Sequence, residues 1–288
     1  MLAYIAILTT ITLFSTIEVA IKFMGGNIDS LFLAFLRFFL SGIFILLLGI
    51  KDMKRLEIKD LFKMIGLGIL GVSVSLGAFH ISLHYLDASV GAVIFSMNPI
   101  FSALLASFIL KEKLSEIKII GIFLGFIGAY IISFGFSGIN LKSIEGPILM
   151  LISSITFGSY IVLAKKQIQK YGIFLVNGIV FLSGSLLYLP FIKNYEISNF
   201  NYTIKIIIYL VFGATTLAYL LYFYGLKRVS IVGGTSMFYL KPILASFLAF
   251  TVLGEKLKIN FYVGLVVIFM ALTLTIYKPA KKETKTKR

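Results

Sequence analysis

Cysteine and tryptophan are both missing from the 288 residues. Without cysteine there are no disulfides and no thiolate metal sites, so packing and hydrogen bonds alone must hold the chain. Without tryptophan, an aromatic belt at a membrane surface has to be built from tyrosine, and Tyr85, Tyr171, Tyr202, Tyr262 and Tyr277 stand near the ends of apolar blocks. Charge is scarce too. Charged residues are 14% of the chain against 59% hydrophobic, with a mean hydropathy of +1.01, whereas a soluble domain carries roughly 25% charged residues.

What fills the chain instead is long apolar runs, at about 3–24, 30–50, 62–84, 88–110, 116–135, 146–165, 173–192, 203–226, 229–253 and 258–277. About 20 apolar residues make a helix that crosses a hydrocarbon core of roughly 30 Å. The expected class is all-α integral membrane, with ten transmembrane helices. Most links are short, such as "GGNID" at 25–29, so sequential neighbours run antiparallel. The first run lacks a basic leader and a small-residue cleavage site, so it reads as a retained span.

The formal net charge of +15 would suggest nucleic acid in a soluble chain, but its placement points to the bilayer. The loops at 51–63, 111–118, 165–170 and 227–228 and the tail 278–288 collect nineteen of the 27 Lys and Arg, whereas the opposite side has Lys142, Lys193, Lys205, Lys256 and Lys258. By the positive-inside rule the basic side is cytoplasmic, which puts both termini in the cytoplasm of a multi-pass cell-membrane protein with no nucleic-acid partner.

Two stretches repeat. "NPIFSALLASFILKEKL" begins at Asn98 and "KPILASFLAFTVLGEKL" at Lys241, and setting Pro99 on Pro242 gives an offset of 143 residues. The same offset places Glu112 on Glu255, Gly121 on Gly264, Gly91 on Gly234, Phe14 on Phe157 and Lys22 on Lys165. The expected organisation is a five-helix repeat over 1–138, a second over 139–278 and a basic tail over 279–288. Because five is odd, the second copy is inverted in the membrane, an arrangement that places a transporter's substrate site near the midplane. The Glu-Lys-Leu ending keeps its form on opposite faces, so it reads as a helix terminator belonging to the fold.

These repeated elements, with "FSTIEVAIKF" in the first span and "FLRFFLSG" in the second, resemble the EamA-type drug/metabolite transporter superfamily from about Leu2 to Tyr277. The resemblance implies a helical basket whose cavity is lined by spans one to four and six to nine, and a carrier of amino acids, nucleosides or other small metabolites. The chain departs from common members in having "LFST" where a tryptophan is frequent in span one.

Ionisable groups inside spans are costly and normally face a cavity or a partner. Glu18 lies four residues before Lys22, so the two share a helix face. Glu18 is either a proton-responsive or cation-binding group, and hence a candidate for coupling, or half of a static pair. Arg37 either clamps a substrate carboxylate or bonds free carbonyls or Glu18. Asn98 and Lys241 precede the two repeated prolines, which free carbonyls one turn earlier near the midplane, so they are the first candidates for substrate contact, with Tyr239 beside them, unless the prolines only kink the helices for packing. His80 and His84 stand at i, i+4 with only Asp87 nearby to add to the ligands a metal needs, which favours a cavity or interface role. Tyr160, Tyr219, Tyr222, Ser154, Ser159 and Thr215 are either cavity lining or interhelical hydrogen bonders. No phosphate loop or catalytic triad pattern is present, so neither an enzyme nor a resident cofactor or metal is expected.

The expected function is a secondary carrier working by alternating access on a small molecule, with an amino acid favoured because the buried cations outnumber the buried acid. The alternatives are a lipid-linked substrate flippase and a nucleoside or drug exporter of the same fold. A channel fits poorly, because the buried charges form no ring of one sign.

Overall fold

In the computed structural model, which describes residues 1–24, 26–86, 88–135, 144–253 and 259–276, all regular structure is helical, with no strand among the described residues. The side chains of residues 22, 88–90, 133–134, 245–246, 249–250 and 252–253 lie outside that description. So do Asp87, Lys142 with the expected boundary at 138, the second Glu255-Lys256-Leu257 ending, Lys258, Tyr277 and the basic tail.

The helical runs are α1 (Leu2–Ile21), α2 (Ser30–Arg55), α3 (Ile58–Ser82), α4 (Gly91–Ile109), α5 (Glu116–Phe134), α6 (Glu145–Tyr171), α7 (Ile173–Phe191), α8 (Phe200–Leu226), the short α9 (Ile231–Thr235), α10 (Lys241–Leu253) and α11 (Ile259–Ile276). Eight of them, α1–α4, α6–α8 and α11, are long and apolar enough to cross a membrane. The helices α5 and α10 fall where the fifth and ninth spans were expected. Leu47, Phe108, Phe123, Val266 and Phe269 are exposed on the outside, where a bilayer supplies the apolar surroundings that water cannot.

In a bilayer there is little hydrophobic drive between helices, so contacts depend on close approach. The two most extensive pairings are α5 with α11 and α2 with α7. Glycine permits both, since a Cβ on Gly264 would lie 2.7 Å from the Gly128 carbonyl and one on Gly178 would lie 2.7 Å from the Leu46 Cα. Around them α1 packs on α8 and α10, α6 packs on α3 and α4, and α7 also meets α3.

Several helices are irregular in their interior. The first breaks at Thr16, whose hydroxyl bonds the Leu13 carbonyl at 2.7 Å. Wide π-turns occupy Ile69–Leu76 in α3 and Tyr209–Leu217 in α8, and the 3-10 turn Ser236–Leu240 leads into α10. Non-helical backbone at membrane depth is tolerated where protein or a cavity surrounds it, and these breaks adjoin one interior region.

The repeated prolines act as their chemistry requires. Pro99 has no N–H to offer the Phe95 carbonyl one turn earlier, which instead accepts from Asn98 Nδ2 at 2.8 Å and from Ser154 Oγ at 3.2 Å. Pro242 likewise withholds a donor from Phe238, whose carbonyl accepts from Ser96 Oγ at 3.4 Å. The rings of Phe95 and Phe238 then meet with centroids 5.9 Å apart.

Candidate functional site

The interior holds a cavity of about 20 Å³ lined by Phe14, Ile17, Arg37, Leu76, Phe79, Phe95, Phe157, Tyr219 and Lys241. Two cations in an aromatic wall need an acid, and Glu18 supplies it by accepting from the Lys241 ammonium through Oε1. Both side chains are buried. The pair spans 223 residues, so α1 and α10 bring it together, and the neighbour Lys22 has its side chain outside the described residues. The Lys241 Nζ also lies 5.3 Å from the Phe79 ring centre and 5.0 Å from that of Phe95, within the reach of a cation–π attraction. Glu18 Oε2 is buried with no hydrogen-bond partner among the described residues.

Arg37 comes from α2 and is fully enclosed. Its Nε donates to Thr215 Oγ1 at 3.1 Å and its Nη1 to His80 Nε2 at 3.0 Å. Arginine has no acceptor, so His80 must present an unprotonated Nε2 and carry its proton on Nδ1. The guanidinium therefore has a fixed plane, held by α3 and α8. It does not pair with Glu18 in this structure; its partners are His80 and Thr215.

Of the other expected residues, Tyr219 faces the cavity and packs edge-on against Phe14 and Phe181, with centroids 5.0 Å away in each case. Tyr239 turns toward α5, where its hydroxyl donates to the Ile122 carbonyl at 2.7 Å and its ring fills the space over Gly125. Tyr160 covers Gly71 and reaches Asn177 Oδ1 at 3.4 Å. Neither lines the cavity. Asn98 is buried with its amide nitrogen committed to the Phe95 carbonyl. His84 does not converge with His80, since it bonds Ser30 Oγ at 2.8 Å.

Ser30 and His84 belong to a second cavity, of about 270 Å³, lined also by Ile21, Met24, Ile28, Leu33 and Leu83. Along α1, α2 and α3 it lies one turn beyond Ile17, Arg37 and Phe79, away from the basic loops. At the basic end, by contrast, ion pairs tie the helices. Asp60 accepts from Lys63 and Lys170, both at 2.7 Å, and from the Tyr171 hydroxyl at 2.8 Å. Lys170 also reaches Glu57 at 2.6 Å, and with Lys59 it holds the Glu57 carboxyl below the usual carboxylate range. Glu112, from the first terminator sequence, accepts from the Ile231 N–H at the start of α9 and faces Lys165 at 3.5 Å.

The phenylalanines were not anticipated as a group. Phe14, Phe79, Phe95 and Phe157 form the cavity wall; the offset of 143 matches Phe14 to Phe157 and Phe95 to Phe238, but of these only the first pair was singled out in the sequence.

A helical membrane protein whose buried charges meet in an aromatic interior chamber belongs among the transporters, and comparison with known proteins agrees. The sequence profile of the EamA-like transporter family matches residues 1–134 and again 144–277. The chain belongs to that family and is a multi-pass membrane transporter. It is 30% identical to an uncharacterized transporter of Clostridium kluyveri over 99% of this chain and 96% of that one. It is 27% identical to an uncharacterized transporter of Archaeoglobus fulgidus over 96% and 99% of the two chains. A crystal structure with 17% sequence identity has the same fold, with a TM-score of 0.78 over 95% of this chain and 96% of that chain.

Proposed function

We propose that the protein is a secondary carrier that moves an amino acid or a related small zwitterion by alternating access between two inverted halves. The observation that carries this reading is one buried cavity lined by Arg37 and Lys241, from both halves of the chain, with Glu18 bound to Lys241 beside it. The Lys241–Glu18 pair neutralises itself, which leaves the Arg37 guanidinium as the uncompensated charge. A guanidinium fixed in its plane suits a carboxylate, and the second oxygen of Glu18 suits an ammonium.

Several contacts support the halves, 1–138 and 139–278, and the ten-span frame. The bond from Thr10 Oγ1 to the Ala218 carbonyl, 2.9 Å, becomes under the offset of 143 the pair Ser153 and Ser75. There Ser75 Oγ donates to the Ser153 carbonyl, also at 2.9 Å. The ring pair Phe14–Phe238 becomes Phe157–Phe95, and both are in contact. The π-turns of α3 and α8 also overlap under the same offset. Two copies related by a two-fold axis in the membrane plane account for such exchanges, and both termini then share the cytoplasmic side.

The cavity's size supports a gated mechanism. A volume of about 20 Å³ admits a water, for which roughly 10–15 Å³ suffices, and no metabolite, so the helices must part for cargo to enter. The larger outer cavity and the ion-paired basic end fit a state closed toward the cytoplasm.

The test is counterflow in proteoliposomes with labelled amino acids and nucleosides. Exchange of an amino acid by the parent, lost on Arg37→Gln in correctly inserted protein, is expected. Exchange of a nucleoside alone, or of nothing in the panel, overturns the substrate class.

A further inference from the structure

Lys241 receives in the chamber everything that a free ammonium group would seek there. Its Nζ has one carboxylate oxygen of Glu18 and the faces of Phe79 and Phe95. Each contact is one that an aromatic cage offers to any small ammonium. Its neighbour Arg37 is fastened on two sides, by Thr215 and His80. The lysine, by contrast, is a single charge on a flexible four-carbon stem, and it enters the site from the first residue of α10.

We propose that Lys241 is a tethered occupant of the cage that the substrate's ammonium group displaces, so that it sets both the affinity and the release of cargo. This rests on the reading of the chamber as the substrate site. Glu18 Oε2, buried and without a partner among the described residues, gives the displacement a route. The incoming ammonium takes Oε2 while Lys241 still holds Oε1, then takes the place between the rings as the lysine withdraws. At no point is a buried carboxylate left without a cation, the situation that makes breaking such a pair costly. The place between the Phe79 and Phe95 rings holds one ammonium at a time, so once the exchange is complete lysine and cargo exclude each other there. The return of Lys241 then expels the cargo once the chamber opens on the far side. A static ion pair, the other reading of Glu18, predicts no exchange of partners.

The tethered group competes with every ligand, so removing it raises apparent affinity by the factor it had withheld. The probe is n-propylammonium, which has no carboxylate and need not be transported, with binding followed by calorimetry on the purified full-length protein. In Lys241→Gln the probe binds about tenfold or more tightly than in the parent, and Lys241→Arg shows no such gain. For a transported amino acid the same Gln variant lowers KM and lowers turnover, a split that a merely structural lysine does not produce. Unchanged or weaker propylammonium binding in a folded Lys241→Gln protein overturns the proposal.

A measurement on the unaltered chain stands beside it in case the variant does not fold. A membrane-permeant carbodiimide activates Glu18, and the Lys241 amine, being in contact, closes an isopeptide that peptide mass spectrometry detects. Added propylammonium is expected to suppress that cross-link and to leave a propylamide on Glu18. A cross-link that persists undiminished at saturating probe overturns the displacement. If propylammonium displaces Lys241 while no amino acid exchanges in counterflow, the inference stands and the amino-acid assignment falls. Exchange of amino acids with an undisturbed cross-link gives the converse.

Discussion

Phe38 and Phe181 meet edge to face across the middle of the molecule, with ring centroids 5.2 Å apart and planes at 80°. Their numbers differ by the same 143 that relates Pro99 to Pro242. Under the two-fold relation proposed for the halves, a residue touching its own counterpart would lie on the axis, and α2 and α7, which carry this pair, form one of the two most extensive contacts among the described residues. The contact is aromatic, and both rings are fully buried.

Truncating either ring should leave a cavity that the close-packed helices cannot fill. Phe38→Ala and Phe181→Ala are each expected to destabilise by about 3–5 kcal/mol. The double variant should show a coupling of about 0.5–1.5 kcal/mol beyond lost burial. Reversible unfolding in mixed micelles measures all three. Strictly additive losses would mean that the rings are neighbours without being partners.

The proline geometry gives a second expectation. Ser154 Oγ serves a carbonyl that Pro99 leaves without its helical donor, so its worth depends on that proline. Ser154→Ala should cost about 1 kcal/mol in the parent and much less in a Pro99→Ala background, where the backbone N–H returns to the Phe95 carbonyl. Equal losses in both backgrounds would detach the serine from the proline.

The all-α membrane class was legible in the sequence, because long apolar runs with few charges can only be satisfied as helices in a bilayer; the repeat of prolines and glycines at an offset of 143 is what suggested the two halves proposed above. The chamber was legible only in part. Intramembrane charge marked Glu18, Arg37 and Lys241, since cost alone makes such residues conspicuous. Their partners were hidden, because the visible neighbour of Glu18 was Lys22 at helical spacing, whereas the lysine that holds it is 223 residues away. Tyr160 and Tyr239 fall outside the chamber lining for a related reason. Whether Tyr160 and Tyr239 line a cavity depends on where a ring finds room, and Gly71 and Gly125 provide that room on other helices. Nothing within the tyrosines' own spans records it.

The basic end offers a third expectation, made convenient by the absence of native cysteine. A Val229→Cys variant places one thiol beside the carbonyl that Lys165 holds at 2.8 Å. Lys170→Ala removes the shared partner of Glu57 and Asp60. If these pairs help to hold this end closed, labelling by an impermeant maleimide applied from the side the basic loops face should quicken. Partly exposed pairs are screened by solvent, so a modest quickening is expected. Acid should act in the same direction. The Glu57 carboxyl is held below its ordinary range, so its contribution is present at neutral pH and fades as pH falls through the depressed value. Labelling unaffected by Lys170→Ala would show that packing alone keeps this end shut.

Arg37 supplies the sharpest test of the site, because its charge and its geometry can be separated. Arg37→Lys retains a cation but loses the planar fork, and lysine cannot reach Thr215 and His80 with two fixed donors at once. If the carboxylate of the cargo is clamped bidentately, exchange should fall by about tenfold or more, equivalent to about 1.4 kcal/mol. Thr215→Val keeps the arginine and removes one of the two groups that fix its plane, at 3.1 Å from Nε, so a smaller loss of about two- to fivefold is expected, felt mainly in KM. Counterflow over a range of substrate concentrations reads both. The order matters more than the sizes. A Thr215→Val loss exceeding that of Arg37→Lys would mean that Thr215 meets the cargo itself, and Arg37→Lys matching the parent would reduce the guanidinium to a diffuse positive charge.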